Sequence, residues 1–208
     1  MVTNRLNLPQ LCLVTDPALP DLVARVEEAL VSGVTMLHLR GHGVPAARFY
    51  ELALQLRPRC LHHGALFIVN DRLDVGLAVG ADGFQLGRRG LPLAVVRQIA
   101  GADAMLGASV HSLEEARNAV SGGADFLLAG TIFPSPSHPG EETAGPALVR
   151  TIKHSFPATP VLAIGGITVA TAGQAMAAGA DGVAVVSAIL HAEQVSHSVE
   201  ALRHEIGL

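Results

Sequence analysis

Short apolar runs alternate along the chain with longer segments whose apolar residues recur at helical spacing. LCLVT (11–15), TMLHLR (35–40), ALFIVN (65–70), GFQLG (83–87), AMLGAS (104–109), FLLAG (126–130), PVLAIG (160–165) and GVAVVS (182–187) read as buried strands. Between them, 22–33, 46–60, 72–80, 92–100, 112–123, 144–154 and 171–179 read as helices, and 193–206 closes the chain. Ser112 with Glu115 three residues on predicts a capping box, and Pro92 suits a first helical turn. The strings SGVT, VGADGF, GGADF and AGADGV mark helix-to-strand junctions, where glycine closes the helix and small residues start the next strand tightly.

Eight strand–helix units in succession predict an α/β fold, a (β/α)8 TIM barrel, as one domain over 1–208. A doubly wound open sheet is the rival. It is disfavoured by the count of eight and by the lack of a Gly-x-Gly-x-x-Gly after the first strand.

Composition narrows the function. Of 208 residues half are hydrophobic and 15% charged, enough apolar surface for a sizeable core. The net charge of −4 argues against a nucleic-acid partner. The apolar stretches fall short of the ~18 residues of a membrane span, and the first ten lack a secretory core, so a soluble cytoplasmic protein with no membrane partner is expected. Cys12 and Cys60 lack metal or redox spacing, and Cys12 reads as a small buried hydrophobe. Of 14 basic residues only Lys153 is lysine, while histidine occurs 10 times. That shortage weakens any mechanism needing a Schiff-base or phosphate-clamping lysine.

A barrel carries its chemistry at the C-terminal ends of its strands. Polar residues collect there: Thr15 and Asp16; His38, Arg40 and His42; Asn70 and Asp71; Gln85 and Arg88-Arg89; Ser109 and His111; Thr131; Gly165-Gly166; Val186-Ser187. The last two groups fall where barrels hold a phosphate on backbone N–H groups and a short helix start, and a plain tight turn is the alternative. Asp71 reads as a metal ligand or as an ion-pair partner of Arg72 or Arg40. Arg88-Arg89 reads as an anion clamp or an exposed turn, and His62-His63 as solvent-facing at a helix end. The polar loop 134–143, PSPSHPGEET, reads as a lid or a surface loop.

LVTD (13–16), LHLRGHG (37–43), FIVNDRLDVGL (67–77), ADGFQLG (81–87), LGASVHSLEEA (106–116), GADFLLAGTIFPSPS (123–137), AIGGI (163–167) and AGADGVAVVSAI (178–189) resemble the thiamine phosphate synthase/thiazole tautomerase superfamily, in order and over nearly the whole chain. The resemblance implies Arg40, Asn70 and Asp71 around pyrophosphate and metal, Ser109 near a pyrimidine, and Gly166 and Ser187 around a thiazole phosphate. It also suggests a homodimer.

Three departures from the synthase pattern stand out. Gln-Leu-Arg-Glu-Lys is His38-Leu39-Arg40-Gly41-His42, and Gly-Gln-Glu-Asp is Gly87-Arg88-Arg89-Gly90. Pro-Thr-Pro-Thr-Lys is Pro134-Ser135-Pro136-Ser137-His138. Two lysines and one metal carboxylate are gone. SVHSLEEA resembles the tautomerase branch, although that branch's strand-six histidine is Thr131 here. The expectation is therefore a metal-independent tautomerase, an isomerase that aromatises a carboxylated thiazole phosphate without a cofactor. His138 or His38 would be the acid/base and Arg40 would hold the carboxylate. Asn70, Ser109, Thr131, Ser135 and Ser137 would bind substrate; Gly165, Gly166, Val186 and Ser187 would hold its phosphate. The alternatives are the synthase, a transferase using Mg²⁺ on Asp71, and a non-catalytic binder of thiazole or thiamine phosphate.

Overall fold

All eight apolar runs become parallel strands, each buried for most or all of its length. They are β1 (Gln10–Val14), β2 (Met36–Leu39), β3 (Leu66–Asn70), β4 (Gly83–Leu86), β5 (Met105–Val110), β6 (Phe126–Ala129), β7 (Val161–Ile164) and β8 (Gly182–Val185). In the computed structural model, which describes residues 6–135 and 143–208, they pair in sequence order and close through β1 and β8. Around them lie α1 (Leu22–Val31), α2 (Ala46–His62), α3 (Leu73–Val79), α4 (Leu93–Ala100), α5 (Leu113–Ser121), α6 (Gly145–Ser155), α7 (Val169–Ala177), the short α8 (Ser187–Leu190) and α9 (Val195–Ile206). The fold is a single-domain (β/α)8 barrel, as the pattern predicts.

Period-two alternation divides the strands between two cores. One set of side chains, including Leu11, Leu13, Leu37, Leu39, Phe67 and Val69, meets the helices. The alternate set, Cys12, Val14, Met36, Ile68, Met105, Phe126, Leu128, Leu162 and Ala184, fills the barrel. Each helix answers with an apolar stripe; α1 buries Leu22, Val26, Ala29 and Leu30. Buried apolar side chains of this size contribute roughly 1.5–3 kcal/mol each. Burial also pushes the thiols of Cys12 and Cys60 up to about 12, as expected of structural cysteines.

The junction strings have a function that glycine alone does not explain. Asp82, Asp125 and Asp181 each precede a strand, and each accepts a backbone N–H from the preceding strand: Phe67, Leu106 and Val161, all at 2.8 Å. Each also pairs with a helix cation, Arg57 at 2.8 Å, Arg97 at 2.7 Å and Lys153 at 2.8 Å. The chain's single lysine is thus a structural staple at the N-terminal face of the barrel.

Other local expectations need adjustment. Ser112 caps α5 by accepting the Glu115 N–H, but the Glu115 carboxylate accepts from the His111 N–H at 2.7 Å instead of closing the box. His63 is not solvent-facing: its Nε2 lies 2.9 Å from Glu27 Oε1. Seven exposed large apolar side chains lie on or just before α2, α3 and α4: Tyr50, Leu54, Leu61, Leu77, Leu91, Val95 and Ile99. Periodicity alone marks no such concentration. Among the described residues no helix is long and apolar enough to cross a membrane.

Candidate active site

The inward-pointing positions change from apolar to polar toward the C-terminal ends of the strands. Register sets Val14 beside His38, His38 beside Ile68, Asn70 beside Gln85, and Ser109 beside Leu128. The pleat carries the next inward side chains to the mouth.

A hydrogen-bonded chain runs around one side of this layer. His38 Nε2 lies 3.0 Å from Asn70 Oδ1. Asn70 Nδ2 donates to Asp71 Oδ2 at 2.8 Å, and the Gly87 N–H donates to Asp71 Oδ1 at 3.0 Å. The carboxylate only accepts, which fixes the Asn70 amide; its Oδ1 is then the acceptor for His38, so His38 Nε2 carries a proton. Burial drives the His38 pKa down to about 4, with Arg40 and His42 adding to the lowering and the Asn70 bond opposing it. His38 is therefore a neutral donor that orients Asn70.

Asp71 is the only non-glycine residue among those described with positive φ, at 52°. Such a backbone costs on the order of 1–3 kcal/mol and clusters at functional sites. Beside this chain, Gln85 Nε2 donates to Ser109 Oγ at 3.0 Å. Gln85 lies across the barrel because Gly107 is bare: a Cβ there would come within 2.2 Å of Gln85 Oε1. Among the described residues no buried side-chain polar atom is left without a partner.

Thr15 sets the position of Arg40. Its hydroxyl accepts the Arg40 N–H and donates to the Arg40 carbonyl, both at 2.9 Å. The Arg40 guanidinium makes no ion pair with another described residue and opens on a cleft of about 470 Å³. Arg40, Gly41 and His42 line one part of it, and Pro134 and Ser135 another. The segments Ile164–Thr168 and Ala184–Ser187 line the rest. A second cavity, about 400 Å³, lies at the opposite face around Leu66, Asp82 and Met105. Its Asp82 carboxylate is engaged by Arg57 at 2.8 Å.

The expected residues divide accordingly. Arg40, Ser135, Gly165, Gly166, Val186 and Ser187 share the cleft. His38, Asn70 and Ser109 lie in the polar layer. Thr131 does not line the cleft; it packs on Gly165, where a Cβ would meet Thr131 Cγ2 at 2.6 Å. Gly165 and Gly166 have φ of 94° and 63°, and a Cβ on Gly166 would strike the Pro134 carbonyl at 2.4 Å. These glycines are therefore required by packing against the loop after β6, whatever they bind. Asp71 pairs with neither Arg72, which turns to Asp74, nor Arg40. Most of the lid expected over 134–143, with Ser137 and His138, lies outside the described residues. Sequence reasoning placed Thr15 and Gln85 at strand ends without giving either a role, and left Ile167 and Thr168 out of the candidate set; inward register and the depth of the mouth are the signals that place them.

One family profile, thiamine monophosphate synthase (TMP-TENI), matches residues 11–189. The thiamine-phosphate synthase of Pyrococcus horikoshii is 41% identical over 95% of this chain and 94% of its own length. That of Pyrococcus furiosus is 42% identical over 96% of each. A solved thiamine phosphate pyrophosphorylase from Pyrococcus furiosus superposes with a TM-score of 0.88 at 41% identity, over 95% of both chains. The chain belongs to the thiamine monophosphate synthase family.

Membership corrects the leading expectation. Relatives at 41–44% identity carry the name thiamine-phosphate synthase, a transferase, and not that of a tautomerase. The isomerase reading is overturned, and with it His38 as its acid/base. The physical reason is visible in His38 itself: a buried imidazole committed to Asn70 and held near 4 is a poor proton shuttle at neutral pH.

Proposed function

We propose that this chain is a thiamine phosphate synthase. It joins a hydroxymethylpyrimidine pyrophosphate to a thiazole phosphate. The C–O bond between the pyrimidine methylene and pyrophosphate breaks, and its electron pair leaves with pyrophosphate. The thiazole nitrogen lone pair then forms the new C–N bond. The observation that carries this reading is one cleft of about 470 Å³ with Arg40 and the Gly165–Gly166 and Val186–Ser187 segments on its walls. Two phosphorylated substrates need two anion-holding regions facing one space, and the volume lies within the usual range for small-molecule sites.

In this reading Arg40 meets the pyrophosphoryl group and stabilises the charge that grows as it leaves. Thr15 is a positioning residue that holds the Arg40 backbone. Backbone N–H groups around Gly166 and Ser187 hold the thiazole phosphate. Ser109, backed by Gln85, recognises the polar edge of the pyrimidine. Asn70, fixed by His38 and Asp71, bonds the diphosphate edge.

Mg²⁺ accompanies this family by resemblance. The described residues do not fit a built octahedral site. Asp71 already accepts one hydrogen bond on each oxygen, Asp16 on the cleft wall faces His191 at 3.6 Å, and Gly90 stands where a second carboxylate beside Asp71 is expected. Among the described residues no group of three or more metal-ligating side chains converges.

The test is incubation of the purified chain with both substrates. Thiamine phosphate and pyrophosphate are expected in equal amounts; absence of coupled product from folded protein overturns the reading.

A further inference from the structure

Gly87–Gly90 forms a tight turn, its Gly90 N–H donating to the Gly87 carbonyl at 2.9 Å. Both ends of the turn lie on the Asp71 carboxylate: the Gly87 N–H bonds Oδ1, and a Cβ on Gly90 would fall 2.5 Å from that same oxygen. The turn thus occupies the ground beside Asp71 that another ligand would need. Its two central residues are both arginines with different surroundings. Arg88 reaches Glu115 on α5 at 3.4 Å, a pair in which the arginine side chain is 68% exposed. Arg89 makes no ion pair or hydrogen bond with another described residue, and its charge is felt at His42, together with those of Arg40 and Asp71. Most other arginines near an acid in this chain are paired with it: Arg25, Arg57, Arg59, Arg72 and Arg97. Arg40 and Arg89, whose charges both act on His42, have no such partner among the described residues.

We propose that Arg40 and Arg89 form a guanidinium clamp that holds the diphosphate anion at the barrel mouth without a divalent cation. Planar guanidinium groups present paired N–H donors that match phosphate oxygens, and they remain charged throughout the physiological range. The carboxylates of the locality are Asp71, which already accepts a hydrogen bond on each oxygen, and Asp16 on the cleft wall, 3.6 Å from His191, so neither neutralises a guanidinium by direct pairing. The clamp rests on the synthase reading for its natural ligand, but its binding is measurable by itself.

The experiment is isothermal titration of inorganic pyrophosphate into the full chain, in EDTA and again in Mg²⁺. Wild type, Arg89→Gln and Arg88→Gln are compared, with far-UV circular dichroism checking that each is folded. Pyrophosphate is expected to bind wild type in EDTA, and Mg²⁺ to change the affinity less than about threefold. Arg89→Gln is expected to weaken binding about tenfold or more, the fold-change of one lost charge-assisted contact. Arg88→Gln is expected to stay within about twofold of wild type on the same scale. Binding that requires Mg²⁺, or equal losses in the two variants, overturns the clamp. The coupling assay separates this from the parent reading. Turnover with Mg²⁺-dependent pyrophosphate binding removes the clamp alone, whereas metal-free binding without turnover leaves the clamp and removes the synthase.

Discussion

The two rims of the barrel handle charge in opposite ways. At the N-terminal face Asp82, Asp125 and Asp181 each bond a strand N–H and a helix cation, so their charges are consumed in holding strands to helices. At the C-terminal face the Arg40 and Arg89 guanidiniums have no ionic partner among the described residues, and Asp71 sits on strained backbone. Paired charge at one end stabilises the fold. Unpaired like charge at the other contributes nothing to it and is available to an anion. The same residue types thus serve scaffold or chemistry according to which end of a strand they follow.

Substitutions at the two rims should therefore separate activity from stability. The largest effect is expected from Arg40→Gln: kcat/KM for coupling falls on the order of 10²–10³-fold, while the denaturation midpoint scarcely moves. A comparable loss of stability would show that Arg40 belongs to the scaffold. Next comes the pH dependence carried by His38. Its folded pKa of about 4 lies below the unfolded value near 6.5, so its contribution is fully present above 6.5. As pH falls toward 4 the unfolded chain binds a proton that the folded one refuses, and on the order of 3 kcal/mol is lost. His38→Gln keeps a donor toward Asn70 and removes the titration. Urea denaturation at pH 7 and pH 4.5 should show a shallower fall for the variant; an unchanged slope removes His38 as the source. Smaller again is Asp82→Ala, which strands the Phe67 N–H and the Arg57 charge. A loss of about 1–3 kcal/mol is expected with near-normal coupling per folded molecule. Lost turnover at full stability would reverse the assignment of the rims.

Most of the scaffold could be read from periodicity, because buried parallel strands leave continuous apolar runs that side-chain chemistry does not interrupt. All eight strands and most helices lie within a few residues of their expected bounds. The role of the junction aspartates could not be read. The Asp181 bond to Val161 crosses a whole strand–helix unit, and only the parallel pairing of β7 with β8 brings the two together. Arg40, Asn70 and Asp71 were visible as polar residues ending strands, but the linkage of His38 through Asn70 to Asp71 depends on the register of β2, β3 and β4. Thr131 was misplaced because its strand-end position suggested the cleft, whereas its side chain packs on Gly165. The reaction was misread because replaced lysines and a lost carboxylate were weighed as a change of chemistry. Relatives over 40% identical retain the synthase name.

The division of labour between the rims is tested most directly by ligand-linked stability. Unfolding midpoints are measured for wild type, Asp181→Ala and Arg40→Gln, with and without inorganic pyrophosphate at one fixed concentration, about a hundredfold above the wild-type Kd. Wild type and Asp181→Ala should each gain about 2.7 kcal/mol from the ligand, despite different starting stabilities, and Arg40→Gln should gain little. An equal gain in Arg40→Gln would mean that the C-terminal rim does not hold the anion, and the account would fail.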